Sequence, residues 1–357
     1  MLGKITFLSS MENAEQRGGA FLRVHSLIKM YESCGFEVQH IYRGSIRFKK
    51  TLGTYLKRFQ YGRNTSGLFS MANVQLPIGD ILHLDNLRYF NWNLKPDFKN
   101  IIYNAHNLEF ENYFGRSSSL VKSRFMNYEF DCIEKTAMTL LCSEREKQIV
   151  LSYRPHLKDK LFVVPNVVDA SKYFIAENKN IISFVGTLDY YPNILAINYL
   201  CHDFMPKISN ELRTQFKFVV AGRNPLPGQK EMIEKAGFEF RTNLSESEML
   251  QLISGTKINL VPITTGSGTR LKIIEGVLSG CECLSTELGA EGIESRLITR
   301  AELKAFPQKC QELALKPSFI NSEELKDFFH LYDWQSWLQY HGQEFTSSLK
   351  KLARQGS

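Results

Sequence analysis

Short apolar runs alternate with stretches of helical periodicity along the whole chain, the pattern of parallel sheets flanked by helices. In the first half the runs predict strands at 4–8, 37–42, 80–84, 101–104, 139–142 and 161–164. Between the first two, Phe21, Val24, Leu27, Ile28 and Tyr31 recur at helical spacing over 20–33. Gly18-Gly19 precedes that helix and Gly35 stops it. A second series predicts strands at 180–185, 216–221, 238–240, 258–262 and 282–285, with helices at 194–208, 228–236, 245–254 and 269–279. Two such series predict an α/β protein of two doubly wound, Rossmann-like domains facing a central cleft. The expected domains are 1–166 and 167–330, joined near Val164-Pro165-Asn166-Val167-Val168-Asp169. A last helix over 331–354, with Trp334, Trp337, Leu338, Phe345 and Leu349 as its apolar positions, is expected to return in 331–357 to the N-terminal domain.

The chain has 357 residues, 43% hydrophobic and 23% charged, which excludes a disordered, collagenous or coiled-coil protein. No stretch approaches the ~20 consecutive apolar residues of a membrane helix. The start, MLGKITFLSS, is too short and too soon acidic for a signal peptide, so a cytoplasmic location is expected. A net charge of +7 suits an anionic small molecule or an acidic membrane surface better than nucleic acid. Seven scattered cysteines argue against a disulfide framework. Cys281-Glu282-Cys283, the close pair, fits alternation on one strand better than a metal site, since no second Cys/His pair follows at zinc spacing.

The most informative stretch runs from Pro262 through Thr264-Thr265-Gly266-Ser267-Gly268-Thr269-Arg270-Leu271-Lys272 to Glu275-Gly276. A buried strand is expected to end at Pro262, a loop of small residues to follow, and a helix to open near Thr269. Gly266 and Gly268 let backbone amides turn toward a ligand, and Ser267 or Thr269 can cap the helix. The unpaired amides of that helix end favour an anion. Leu271, Ile274 and Leu278 form its core face, which leaves Lys272 and Glu275, three apart, together on another. One reading is a nucleotide diphosphate, with phosphates at Arg270, Lys272 and the helix end and ribose hydroxyls at Glu275. The other is a surface helix with a Lys–Glu pair. The loop matches neither the G-x-x-x-x-G-K-[ST] phosphate loop nor a G-x-G-x-x-G at a first strand.

Several further segments, in order along nearly the whole chain, carry a resemblance. They are Arg17-Gly18-Gly19-Ala20, Tyr103-Asn104-Ala105-His106-Asn107-Leu108-Glu109, the 164–169 segment, Phe184-Val185-Gly186-Thr187-Leu188-Asp189-Tyr190-Tyr191-Pro192-Asn193 and Val219-Val220-Ala221-Gly222-Arg223. With 266–276 and Ser285-Thr286-Glu287-Leu288-Gly289-Ala290-Glu291-Gly292, they make the chain resemble a GT-B-fold glycosyltransferase of family 4. The resemblance implies an acceptor-side N-terminal domain and a nucleotide-sugar-binding C-terminal domain. It also implies transfer with retention, no metal ion, and a hexosyl unit as the group moved. The implied catalytic residues are His106, Arg270 and Lys272. The implied donor-binding residues are Gly18, Gly19, Gly186, Arg223, Gly266, Ser267, Gly268, Thr269, Arg270, Lys272 and Glu275. His106 would contact the transferred sugar, or serve as a structural histidine; Gly18 and Gly19 would touch the ligand or only form a tight turn.

The chain departs from the family pattern in two places. Of the paired glutamates seven residues apart, the first position is Ser267 and only Glu275 remains. Where many members carry an Arg and a Lys after the first strand of the second domain, this chain has Thr187 and Asn193. The charge on the diphosphate is therefore expected to be met mainly by Arg270 and Lys272, with Arg223 as a further candidate.

One segment stands apart. Over 43–63 the chain places Arg43, Arg47, Lys49, Lys50, Lys57, Arg58 and Arg63 among Ile46, Phe48, Leu52, Tyr55, Leu56, Phe59 and Tyr61, with no acid. It reads as a solvated basic face or as an anchor on an anionic membrane surface; no nucleic-acid-binding module surrounds it. The function expected is transfer of a sugar from a nucleotide-diphosphate sugar to a glycan or lipid-linked acceptor in cell-surface polysaccharide assembly. The alternatives are a nucleotide-sugar epimerase of the same fold and a non-catalytic binding subunit.

Overall fold

A computed structural model describes residues 2–9, 19–42, 72–112, 119–266, 268–316 and 323–356. The chain divides into two units, Met1–Val167 with Trp334–Ser357, and Val168–Asp333. Gly18, Ser267 and the basic segment 43–63 lie outside the described residues.

The first unit follows the order β1 (Lys4–Ser9), α1 (Gly19–Ser33), β2 (Glu37–Tyr42), β3 (Asn73–Gln75), β4 (Ile81–Leu84), β5 (Asn93–Lys95), β6 (Ile101–Asn104), α2 (Ser119–Glu134), β7 (Met138–Leu141), α3 (Glu144–Tyr153) and β8 (Leu161–Val163). Six of these strands form a parallel sheet in the order β2-β1-β4-β6-β7-β8, while β3 and β5 pair apart from it. Ile5 and Phe7 of β1 pack with Val24, Leu27, Met30 and Tyr31 of α1, the apolar stripe read from the sequence. Strands β1, β4 and β7, inside the sheet, are buried on both faces, as parallel strands under helices must be, while the edge strand β2 is half-buried.

The second unit runs β9 (Ile181–Thr187), α4 (Tyr191–Tyr199), β10 (Lys217–Arg223), α5 (Gln229–Lys235), β11 (Glu239–Thr242), α6 (Glu246–Ser254), β12 (Thr256–Val261), α7 (Leu271–Leu278), β13 (Glu282–Ser285), β14 (Ile298–Arg300), α8 (Phe306–Ala314) and α9 (Glu323–Tyr332). Its sheet is also parallel, in the order β11-β10-β9-β12-β13-β14. Helix α4 starts earlier than its apolar pattern suggests because Pro192, whose missing N–H is harmless in a first helical turn, sits at its start.

The single helix expected from residue 331 is two helices. Helix α9 stops at Tyr332, and Asp333 bridges to Val168 and accepts the Ala170 N–H at 3.0 Å. The chain then continues as α10 (Trp334–Gly356) in the first unit. There Trp337, Phe345 and Leu349 enter the core beside α1, and Asn100 Nδ2 donates to the Leu352 carbonyl at 2.7 Å. Among the described residues no helix is long and apolar enough to cross a membrane.

Candidate functional site

In the second sheet β9 and β12 are neighbours, and the strand order runs away from them in opposite directions. Ligands of open α/β sheets bind just beyond the carboxyl ends of the strands at such a reversal. The motif residues of the second unit gather at that place. Strand β9 ends in Gly186-Thr187, β10 ends in Arg223 in register with Thr187, and the loop after β12 leads into α7, which carries Lys272 and Glu275.

Lys272 is built in from several sides. Its Nζ donates to Asn193 Oδ1 at 3.1 Å and lies 4.3 Å from the centre of the Phe184 ring, whose face attracts a cation. Asn193 in turn donates to the Thr187 carbonyl at 2.8 Å, and Asn259 Nδ2 donates to the Lys272 carbonyl at 2.7 Å. Gly186 leaves the space for this: a Cβ there would stand 2.7 Å from Asn193 Nδ2 and 3.0 Å from Lys272 Nζ. A Cβ on Gly222 would overlap the Gly186 carbonyl oxygen.

Glu275 accepts a hydrogen bond from the Tyr173 hydroxyl at 2.9 Å and makes none with Lys272. Both side chains border a cavity of about 10 Å³, room for about one water, lined also by Ser183, Val185 and Asn259. The pair is therefore turned toward the sheet, and the reading of a solvated surface pair is corrected. Burial lowers the Lys272 ammonium to about 7; neighbouring Arg270 adds to the effect and Glu275 opposes it. Burial raises the Glu275 carboxyl to about 7 against the Tyr173 hydrogen bond and Lys272.

The glycine loop turns through two left-handed residues, Gly266 (φ 92°) and Gly268 (φ 90°), a conformation that a Cβ would strain. A Cβ on Gly266 would lie 3.5 Å from the Tyr190 hydroxyl and 3.6 Å from Arg270 Nη2, so those two groups line the same side of the loop. Arg270 donates to the Gly268 carbonyl; burial lowers its pKa, and Tyr190 and Glu291 oppose that shift. Two expectations are corrected here. Helix α7 begins at Leu271 with Arg270 as the residue before its first turn and no side-chain capping bond, so Thr269 is not the cap. The Gly268 amide is not turned outward: it donates to Glu291 Oε2 at 3.1 Å, because a carboxylate of the chain satisfies the buried donor. Arg223 stands at the strand end with its pKa lowered by burial, opposed by Asp189.

In the first unit His106 follows β6. Its Nε2–H donates to Asp85 Oδ1 at 2.9 Å, and 20% of the histidine side chain is exposed against 1% of the aspartate. Asp85 Oδ1 also accepts from Asn104 Nδ2 at 2.8 Å, and Asn104 Oδ1 accepts from Arg23 Nε at 2.9 Å. Arg23, buried on α1, further donates to the Val164 carbonyl at 2.8 Å and to Asn166 Oδ1 at 3.1 Å. Asp85 Oδ2 and Arg23 Nη2 are buried without a hydrogen-bond partner among the described residues. Gly19 is the exposed first residue of α1, one turn before Arg23. The sequence reading missed Asp85, Arg23, Tyr173 and Glu291. Asp85 directly follows a predicted strand and Glu291 lies in a quoted segment, whereas nothing in the sequence marks Tyr173, 102 residues from its partner.

Comparison with solved structures establishes the fold as GT-B. Over 97% of this chain and 100% of the other it is similar to Anabaena HepE in complex with UDP and glucose, at 13% identity and a TM-score of 0.62. Sucrose-phosphate synthase from Thermosynechococcus elongatus is similar over 96% and 98%, at 12% identity and a TM-score of 0.68. An α-glucosyltransferase in complex with UDP and a 13-mer DNA is similar over 97% and 99%, at 12% identity and a TM-score of 0.57. No curated protein matches the sequence. Residues 179–315, which include the glycine loop and helix α7, match the family model described as glycosyl transferases group 1. The chain thus has the GT-B fold, and its segment 179–315 is similar to the group 1 glycosyl transferases.

Proposed function

We propose that this protein is a glycosyltransferase that moves a hexosyl unit from a nucleotide-diphosphate sugar to a hydroxyl of a glycan or lipid-linked acceptor, with retention, in cell-surface polysaccharide assembly. The carrying observation is the convergence of Arg270, Lys272 and Glu275 on a glycine loop at the strand reversal of the second sheet. The UDP and glucose bound by HepE support a nucleotide-sugar donor. When the bond between the sugar's anomeric carbon and the diphosphate breaks, the electron pair leaves with the nucleotide diphosphate. Arg270 and Lys272 meet that charge, with Arg223 as a further cation. Glu275 takes the ribose and His106 contacts the transferred sugar. Since two fixed cations serve the diphosphate, the reading calls for no metal, and activity should survive a chelator.

A panel of nucleotide-sugars tests the reading, with release of nucleotide diphosphate measured with and without acceptor glycans and the anomeric configuration of product read by NMR. Turnover of one donor, lost in Lys272→Ala, is expected; no release from any donor would overturn it. We further propose a cytoplasmic enzyme resting on an anionic membrane through 43–63, where each basic residue near the surface contributes ~1 kcal/mol. Replacing Arg47, Lys49, Lys50, Lys57 and Arg58 with Gln should release the protein from phosphatidylserine vesicles. Wild-type protein that ignores such vesicles at low salt would refute the anchor.

A further inference from the structure

The contact between Tyr173 and Glu275 joins two parts of the second unit that no motif connects. Tyr173 stands after a short helical turn, Ala170–Lys172, ahead of the segment that matches the glycosyltransferase family model. Its backbone is tied down, since Tyr173 N donates to the Ala170 carbonyl at 3.1 Å and Ala170 N donates to Asp333 Oδ1 at 3.0 Å. From there the side chain reaches Glu275 Oε1 at 2.9 Å.

Resting on the donor reading above, we infer that Tyr173 is a positioning residue for the nucleotide's ribose: its hydroxyl pins one oxygen of Glu275 so that the other meets a sugar hydroxyl. Three observations carry this. A carboxylate with two free terminal torsions loses affinity in ordering itself on a ligand, and a hydrogen bond already made at one oxygen removes that loss beforehand. Lys272, the other group that could have held Glu275, is engaged with Asn193 instead. Glu275 Oε2 makes no hydrogen bond among the described residues, so it is left as the acceptor for a sugar hydroxyl. Burial, together with the Glu275 charge, holds the Tyr173 hydroxyl far above its ordinary pKa, so it stays a donor over the whole working range.

The test is Tyr173→Phe, which deletes one oxygen and keeps the ring. UDP, GDP and ADP, each beside its 2′-deoxy and 3′-deoxy forms, are titrated into wild type and variant by calorimetry. In wild type the preferred ribonucleotide should bind about tenfold tighter than one deoxy form, equivalent to about 1.4 kcal/mol. In the variant that ratio should shrink to about threefold or less, with the deoxy form binding as before. An unchanged ratio, or equal losses for ribo and deoxy ligands, would overturn the inference by making Tyr173 a brace of the fold only. A wild type with no preference for either hydroxyl would instead remove Glu275 from the ribose, and Tyr173 with it. Should the Phe variant not fold, Tyr173→Met, with bulk and no donor, gives the same comparison.

Discussion

Lys272 is the residue at which charge, burial and binding meet, and its titration can be predicted. In the unliganded protein its ammonium is lowered to about 7 from 10.5 by burial first and by Arg270 second. If a diphosphate binds the charged form, affinity follows the protonated fraction: about half at pH 7 and about 1% at pH 9, a loss of roughly fiftyfold or ~2.3 kcal/mol. A phosphate charge 4 Å from the nitrogen, at an effective dielectric of 20, gains about 4 kcal/mol. That exceeds the loss, so binding at pH 9 should draw close to one proton onto the complex. Calorimetry in two buffers of different ionisation enthalpy counts that proton. Because Glu275 titrates in the same range, the measurement is cleanest in Glu275→Gln, and Lys272→Met should be weak and flat with pH. The same shift sets a stability trend. A lysine with a lowered folded pKa binds fewer protons folded than unfolded between about 7 and 10.5, so unliganded stability should rise with pH across that window. Affinity independent of pH from 7 to 9 with no proton uptake would refute the reasoning, as would a Lys272→Met variant that keeps the wild-type slope.

Two further outcomes follow from the same geometry. Gly186→Ala would press a methyl group against Asn193 and Lys272, so nucleotide-diphosphate affinity should fall at least about tenfold while the melting temperature moves little; calorimetry beside a melt decides it. His106→Ala should cut turnover sharply and leave binding of the bare nucleotide diphosphate unchanged, with Asp85→Asn acting in the same direction and less; equal loss in both assays would make His106 structural.

Much of the fold was legible because parallel strands buried on both faces show as continuous apolar runs between helical stripes. The strands at 37–42, 101–104 and 282–285 fall where the runs put them. The three-residue strands β3, β5 and β14 were not legible, since each carries a single apolar residue, whereas the equally short, wholly apolar β8 was. Nor was the break at Asp333, where a polar contact to the distant Ala170 amide ends a helix that local pattern would continue. In the candidate site the loop and helix were readable as a local motif. Tyr173, Glu291 and Asp85 were not, because each acts through a contact made only by the folded chain.

The second departure from the resembled pattern, at Thr187 and Asn193, acquires a physical sense at Asn193. A lysine in its place would bring a second ammonium toward Lys272, and two like charges about 4 Å apart at an effective dielectric of 20 repel by about 4 kcal/mol. Asparagine instead offers Oδ1 to Lys272 at 3.1 Å and spends its Nδ2 on the Thr187 carbonyl at 2.8 Å. That second bond uses the backbone of residue 187 and does not depend on its being threonine. Countercharge for a diphosphate is concentrated on Arg270 and Lys272 at the start of α7, both lowered chiefly by burial. Arg270 keeps its charge throughout, as arginines in proteins do, whereas Lys272 gains its full charge only when an anion arrives and restores the protonated form. On the proposed function, donor recognition by this chain is therefore coupled to a proton, whereas a pair of solvated loop cations would hold the diphosphate with no proton exchanged.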